Sequence, residues 1–103
     1  VRRTAVTALG SMELGQEKLK SLLEDKDMWV RVHAVRSLGN SLRQDMLEAL
    51  APMLRDDDIP VVLAAVESMA LIGGKDAFAS LSAIANHKDE AVRKAASEVL
   101  EGI

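Results

Sequence analysis

A nine-residue stretch returns every 31 positions along this chain, and that recurrence limits the fold more than any single motif. Val30-Arg31-Val32-His33-Ala34-Val35-Arg36-Ser37-Leu38 becomes Val61-Val62-Leu63-Ala64-Ala65-Val66-Glu67-Ser68-Met69, then Val92-Arg93-Lys94-Ala95-Ala96-Ser97-Glu98-Val99-Leu100. Moving back 29 residues from Val30 gives Val1-Arg2-Arg3-Thr4-Ala5-Val6-Thr7-Ala8-Leu9. The segment before each block repeats as well: Leu19, Leu50 and Leu81, then Leu22, Met53 and Ile84, then Asp27, Asp58 and Asp89. The two residues missing from the first spacing fall in the loop after Gly10, where deletions are tolerated. A chain that repeats itself at this period stacks small units, each burying its apolar face against its neighbours.

Each unit reads as two helices. Val30, Ala34, Val35 and Leu38 form one stripe of a 3.6-residue period. Asp27, Asp58 and Asp89 precede such stripes, where a carboxylate caps free N–H groups. Pro60 sits in a first turn, where its missing N–H costs little. Gly10, Gly39 and Gly73 follow the stripes and suit a left-handed helix end. The leading helix of the middle unit carries Met46, Leu47, Leu50, Met53 and Leu54, and Pro52 should bend it. The pattern predicts seven helices, at about 1–12, 16–25, 28–40, 45–55, 59–72, 76–86 and 90–101. Ala5, Ala34, Ala65 and Ala96 share one repeat position, where a small residue lets helices approach closely. No segment alternates with period two for long enough to make a strand.

The full run Asp-x-x-Val-Arg-x-x-Ala-x-x-x-Leu-Gly occurs once, as Asp27, Val30, Arg31, Ala34, Leu38 and Gly39. It resembles the HEAT-like repeat of the phycobilisome-lyase type, and three partial copies stand in register with it. The departures are Val62 for Arg, Ala70 for Gly and Glu101 for Gly. The resemblance implies an all-α fold: a right-handed α-α superhelix of about three and a half helix pairs, a HEAT or armadillo-like solenoid. Its units are about 1–12 (second helix only), 16–40, 45–72 and 76–101, within a single repeat domain over 1–103. The resemblance also implies that second helices line a concave face and that such arrays usually bind proteins, though some members act on chromophore-bearing proteins.

Composition narrows the chemistry. There is no Cys, which excludes thiol catalysis, disulfides and Cys-based zinc sites. Aromatic residues are 2% of the chain, poor lining for a flat cofactor. No apolar stretch approaches the ~18 residues a membrane span needs. The expected location is the cytoplasm, and no cofactor or metal is expected. Residues 1–52 hold 8 Lys plus Arg against 7 Asp plus Glu, while residues 53–103 hold 5 against 9. A backbone-binding protein needs a basic surface, so nucleic acid is an unpromising partner.

Candidate sites mostly have structural readings. Arg2, Arg31 and Arg93 recur at one position and are expected to pair with the turn Asp of the same or an adjacent unit. Asp56-Asp57-Asp58 lacks the Gly and distal Glu of a calcium loop and reads as capping and solvation. Ala34 follows His33 and Lys88 follows His87, so neither makes the His-Glu pair of the related di-iron hydroxylases, and both read as surface residues. Gly73-Gly74-Lys75-Asp76 follows a helix and lacks the upstream Gly of a phosphate loop, so it reads as a helix stop and start. No Gly-x-Ser-x-Gly elbow is present, and no enzyme activity is expected.

Function is expected on the second helices. Residues off the apolar stripe vary from unit to unit: Arg3, Thr4 and Thr7; Trp29, Val32, His33 and Arg36; Leu63, Ala64 and Glu67; Lys94, Ala95 and Glu98. The expected partner-binding set is Trp29, Val32, His33, Arg36, Leu63, Glu67, Lys94 and Glu98, with Trp29, Val32 and Leu63 as an exposed apolar patch. Trp29 reads equally well as core at the seam between units. The main expectation is a protein-interaction scaffold. A bilin-lyase accessory domain and a structural spacer are the alternatives. The chain opens on Val1, Val6 and Leu9 with nothing to cover them, and the last helix shows no obvious polar cap. The chain is therefore expected to continue in a longer array on one or both sides, or to self-associate.

Overall fold

The two-helix reading of the repeat is met in space. The computed structural model describes residues 15–102, in which six helices follow one another and no strand occurs among the described residues. They are α1 Gly15–Leu22, α2 Met28–Asn40, α3 Leu47–Leu50, α4 Ile59–Ile72, α5 Lys75–Ala83 and α6 Glu90–Glu101. The expected helix at about 1–12, with Arg2, Arg3, Thr4, Ala5, Thr7 and Gly10, lies outside the described residues. The leading element of the middle unit is only partly α-helical. A 3-10 turn at Gln44–Met46 precedes α3 and another at Ala51–Arg55 follows it. Pro52 explains the change: it has no N–H to give, and its ring crowds the carbonyl four residues back.

The second helices form the spine. α4 lies between α2 and α6, and its contact with α2 is the most extensive in the fold. The recurring positions are the core. Val30, Val61 and Val92 are fully buried, as are Ala34, Ala65 and Ala96; Leu19, Leu50 and Leu81 are buried from the leading elements. Each such Val or Leu contributes about 1.5–3 kcal/mol of transfer free energy. The alanines leave the room that lets one unit sit close on the next.

Helix starts follow the repeat with one exception. The Asp27 carboxylate accepts from the N–H of Trp29 at 2.8 Å, and Asp89 accepts from Val92 at 3.1 Å. Asp58 also stands at the N-cap of α4, but its side chain makes no capping bond. Pro60 removes the donor that Trp29 supplies in α2, and the Asp58 carboxylate turns to Arg31 instead.

Helix ends depart from expectation at Gly39. It is helical and buried rather than a stop. A Cβ built there would lie 2.4 Å from the Cβ of Ser68 and 2.8 Å from its Cα. Gly39 is therefore a point of contact between α2 and α4. The left-handed residue after α2 is Leu42, with φ 58°, at the repeat position where Gly73 has φ 69° after α4. Leu42 is 61% exposed, so little burial offsets its strain. Leu42→Gly should raise stability by about 0.5–1 kcal/mol, the left-handed penalty less the added freedom of the unfolded chain. A denaturant midpoint that falls in this variant would contradict the assignment.

α6 differs from α2 along one side. Lys94 and Glu101 stand where α2 has buried Val32 and Gly39, and both are exposed. Arg93, equivalent to fully buried Val62, is exposed too. This side of the last described helix is therefore charged and exposed where that of α2 is apolar and buried.

Candidate functional site

The expected partner-binding residues divide by their place on the second helices. Trp29, at the first turn of α2, is 45% exposed, which excludes its reading as seam core. Arg36, Glu67, Lys94 and Glu98 are exposed, while His33 and Leu63 are half-buried. Arg36 and Glu67 approach across the α2–α4 seam, with Nη2 3.9 Å from Oε2. At that distance and exposure the pair orients two side chains and contributes little stability. Val32 does not belong to the set. It is 1% exposed, three and seven residues from Val35 and Gly39, on the side of α2 that meets α4. Ala64 is likewise fully buried.

Arg31 has the structural role its recurrence beside the turn Asp suggests. Its Nη1 donates to the carbonyl oxygens of Asp25 at 2.7 Å and Lys26 at 3.3 Å, which ties down its own turn. Its Nε donates to Asp56 Oδ2 at 3.1 Å and Nη2 to Asp56 Oδ1 at 3.3 Å and to Asp58. Desolvation opposes the charged guanidinium, but hydrogen bonds and charge from Asp56, then Asp58, raise its pKa above the ordinary value. Asp56 and Asp58 of the Asp56-Asp57-Asp58 run thus serve as acceptors for the preceding unit. Among the described residues no group of three His, Asp or Glu is placed to hold a metal ion.

His87 does more than its surface reading allowed. Asp25 accepts the N–H of Asp27 at 2.8 Å, and Asp56 accepts that of Asp58 at 2.9 Å. At the third equivalent turn His87 Nδ1 accepts the N–H of Asp89 at 3.0 Å. The signal was present in the sequence, since His87 stands 31 residues after Asp56. It needed the turn geometry to be recognised.

A further feature lies between α4 and α6. A groove of about 620 Å³ is floored by Val66, Ala70, Leu71, Ala95 and Val99 and edged by Glu67 and Glu98. Leu71 is 57% exposed. The sequence reading named both edge glutamates as site residues and, from the floor, only Ala95 among the variable positions.

The match to known families agrees with this architecture. The family model for HEAT repeats matches residues 16–101, which is most of the chain. The chain belongs to the HEAT-repeat family. No curated protein sequence matches it. HEAT repeats generally serve as protein-interaction scaffolds and are typically not enzymes. In this HEAT-repeat chain no helix among the described residues is long and apolar enough to cross a membrane. The HEAT architecture also separates the two kinds of position seen above: recurrent residues are buried at seams, and the variable ones Trp29, Arg36, Glu67 and Glu98 are exposed.

Proposed function

We propose that this chain binds a partner protein on the exposed side of its second helices, which we take to be the concave face of the array. The observation that carries this reading is Trp29, a large apolar side chain 45% exposed at the first turn of α2. Exposed Trp next to charged residues is the chemistry of interface anchors. Arg36 and Glu67 supply a polar rim, and the helices behind them hold their backbones in place. The match of Asp27 through Gly39 to the repeat motif supports placing the chain in the phycobilisome-lyase type, as a non-enzymatic module of a longer array in the cytoplasm.

The test is capture from source-cell lysate with mass spectrometry, comparing the original chain with a variant carrying Trp29→Ala, Arg36→Ala and Glu67→Ala. All three side chains are exposed, so the variant should fold. Trp29→Ala alone should cost no more than about 1 kcal/mol, against 3–5 kcal/mol for a core Trp. A protein retained by the original and lost with the variant supports the surface. Equal retention moves the site elsewhere, and no specific retention favours a spacer.

A further inference from the structure

We infer that the groove between α4 and α6 is a docking site for a basic, amphipathic segment of a partner protein, which seats an apolar side chain on the floor and Lys or Arg on the two edge glutamates. This deepens the proposed interaction role and rests on it. The groove has a cause in the repeat. At the α2–α4 seam the facing pair is Gly39 and Ser68, so close that no Cβ fits at 39. One unit later the same two positions are Ala70 and Val99, and both line the groove. Ala and Val cannot make the Gly–Ser approach, and α4 packs far less extensively on α6 than on α2. The seam that closes in one unit therefore stays open in the next.

Its chemistry selects the occupant. The floor is apolar, and exposed Leu71 adds surface that binding would remove from water. A groove of about 620 Å³ is in the range of ligand-sized clefts and holds a few side chains, not a folded domain. Glu67 and Glu98 face solvent on its edges. Glu67 has only the distant Arg36, and Glu98 has no cationic partner among the described residues. Residues 53–103 carry nine acidic against five basic side chains, so the surrounding field also favours a cation. An apolar floor with exposed carboxylates on its edges fits a segment with leucine-like residues on one side and lysine or arginine flanking them.

The probe is a short synthetic helical peptide with leucine on one face and lysine on the other, compared with its glutamate-for-lysine counterpart. Methyl NMR of Val66, Leu71 and Val99 reports where each binds, and fluorescence anisotropy at low and high salt reports affinity. The basic peptide should shift these three methyl groups and the acidic one should not. Glu67→Lys with Glu98→Lys should weaken the basic peptide by at least about tenfold and remove most of its salt dependence. Ala70→Gly with Val99→Ser, which installs the first seam's pair, should narrow the groove and weaken binding without changing charge. The inference is overturned if the basic peptide shifts residues elsewhere or none, if the acidic peptide binds equally, or if both double variants bind like the original. Groove shifts that grow with protein concentration alone would also overturn it, since a second copy would then be the occupant. The two readings separate in the capture experiment. A partner that depends on Trp29 but survives Glu98→Lys keeps the interaction role and removes the groove from it.

Discussion

Gly39→Ala should destabilise the array by about 2 kcal/mol, although it replaces a helical glycine with the best helix former. The gain in helix propensity is about 0.5–1 kcal/mol. Against it stands the new Cβ, 2.4 Å from Ser68 Cβ and 2.8 Å from its Cα. The nearer contact is a stiff side-chain root and the farther one is backbone, so no rotamer change relieves them. α2 and α4 must move apart, and overpacking of this kind costs roughly 1–3 kcal/mol or more. The movement also lengthens the buried bond from Ser68 Oγ to the carbonyl of Val35, now 3.0 Å. Thermal unfolding should drop by on the order of 10 °C. The partner variants give the assignment its control. Ser68→Gly removes the obstructing Cβ and should make the double variant better than the sum of the singles by more than about 1 kcal/mol. Ser68→Ala keeps the Cβ and should not. A Gly39→Ala protein as stable as the original would mean that helix propensity, not the α2–α4 approach, governs this position.

The same glycine shows what the sequence could and could not disclose. Its place after an apolar stripe suggested a helix stop, which is the commoner use of glycine there. The chain instead continues one residue and turns at Leu42, which carries no turn signature, so no local rule could find it. Helix starts were easier: Asp27 and Asp89 cap as their positions imply, because a cap depends on a few adjacent atoms. Recurrent burial was legible for the same reason that the repeat was. Val30, Ala34 and their equivalents pack alike in each unit. Val32 was misread because its column runs Val32, Leu63, Lys94 and looks variable. In α2 that position is buried, while its counterparts Leu63 and Lys94 are half-buried and exposed. Nor did any single residue disclose the groove. It needs Ala70 and Val99 together, facing each other across two helices, and that pairing exists only once the units are stacked.

Arg31→Val should cost about 3 kcal/mol, the largest loss expected from a single polar side chain here. The Arg31 side chain is 14% exposed and that of Asp56 11%, so the pair is largely removed from water. Removing the guanidinium leaves the Asp56 carboxylate with few alternatives and frees the carbonyls of Asp25 and Lys26. Arg93 provides the internal comparison. Its Nη1 makes the same two local bonds, to the carbonyls of His87 at 2.8 Å and Lys88 at 2.9 Å, but among the described residues it reaches no carboxylate. Arg93→Val should therefore cost about 1 kcal/mol or less. The second seam already shows how the chain does without the pair. There Val62 replaces Arg31, fully buried, and His87 replaces Asp56. The imidazole keeps the turn's acceptor without bringing a carboxylate into the seam. Grafting both changes, as Arg31→Val with Asp56→His, should recover most of the loss, because breaking such a pair costs more than replacing it whole. Denaturant unfolding of the two singles and the double decides the matter. A double variant as unstable as Arg31→Val would show that the carbonyl bonds of Arg31, and not the stranded carboxylate, account for its contribution.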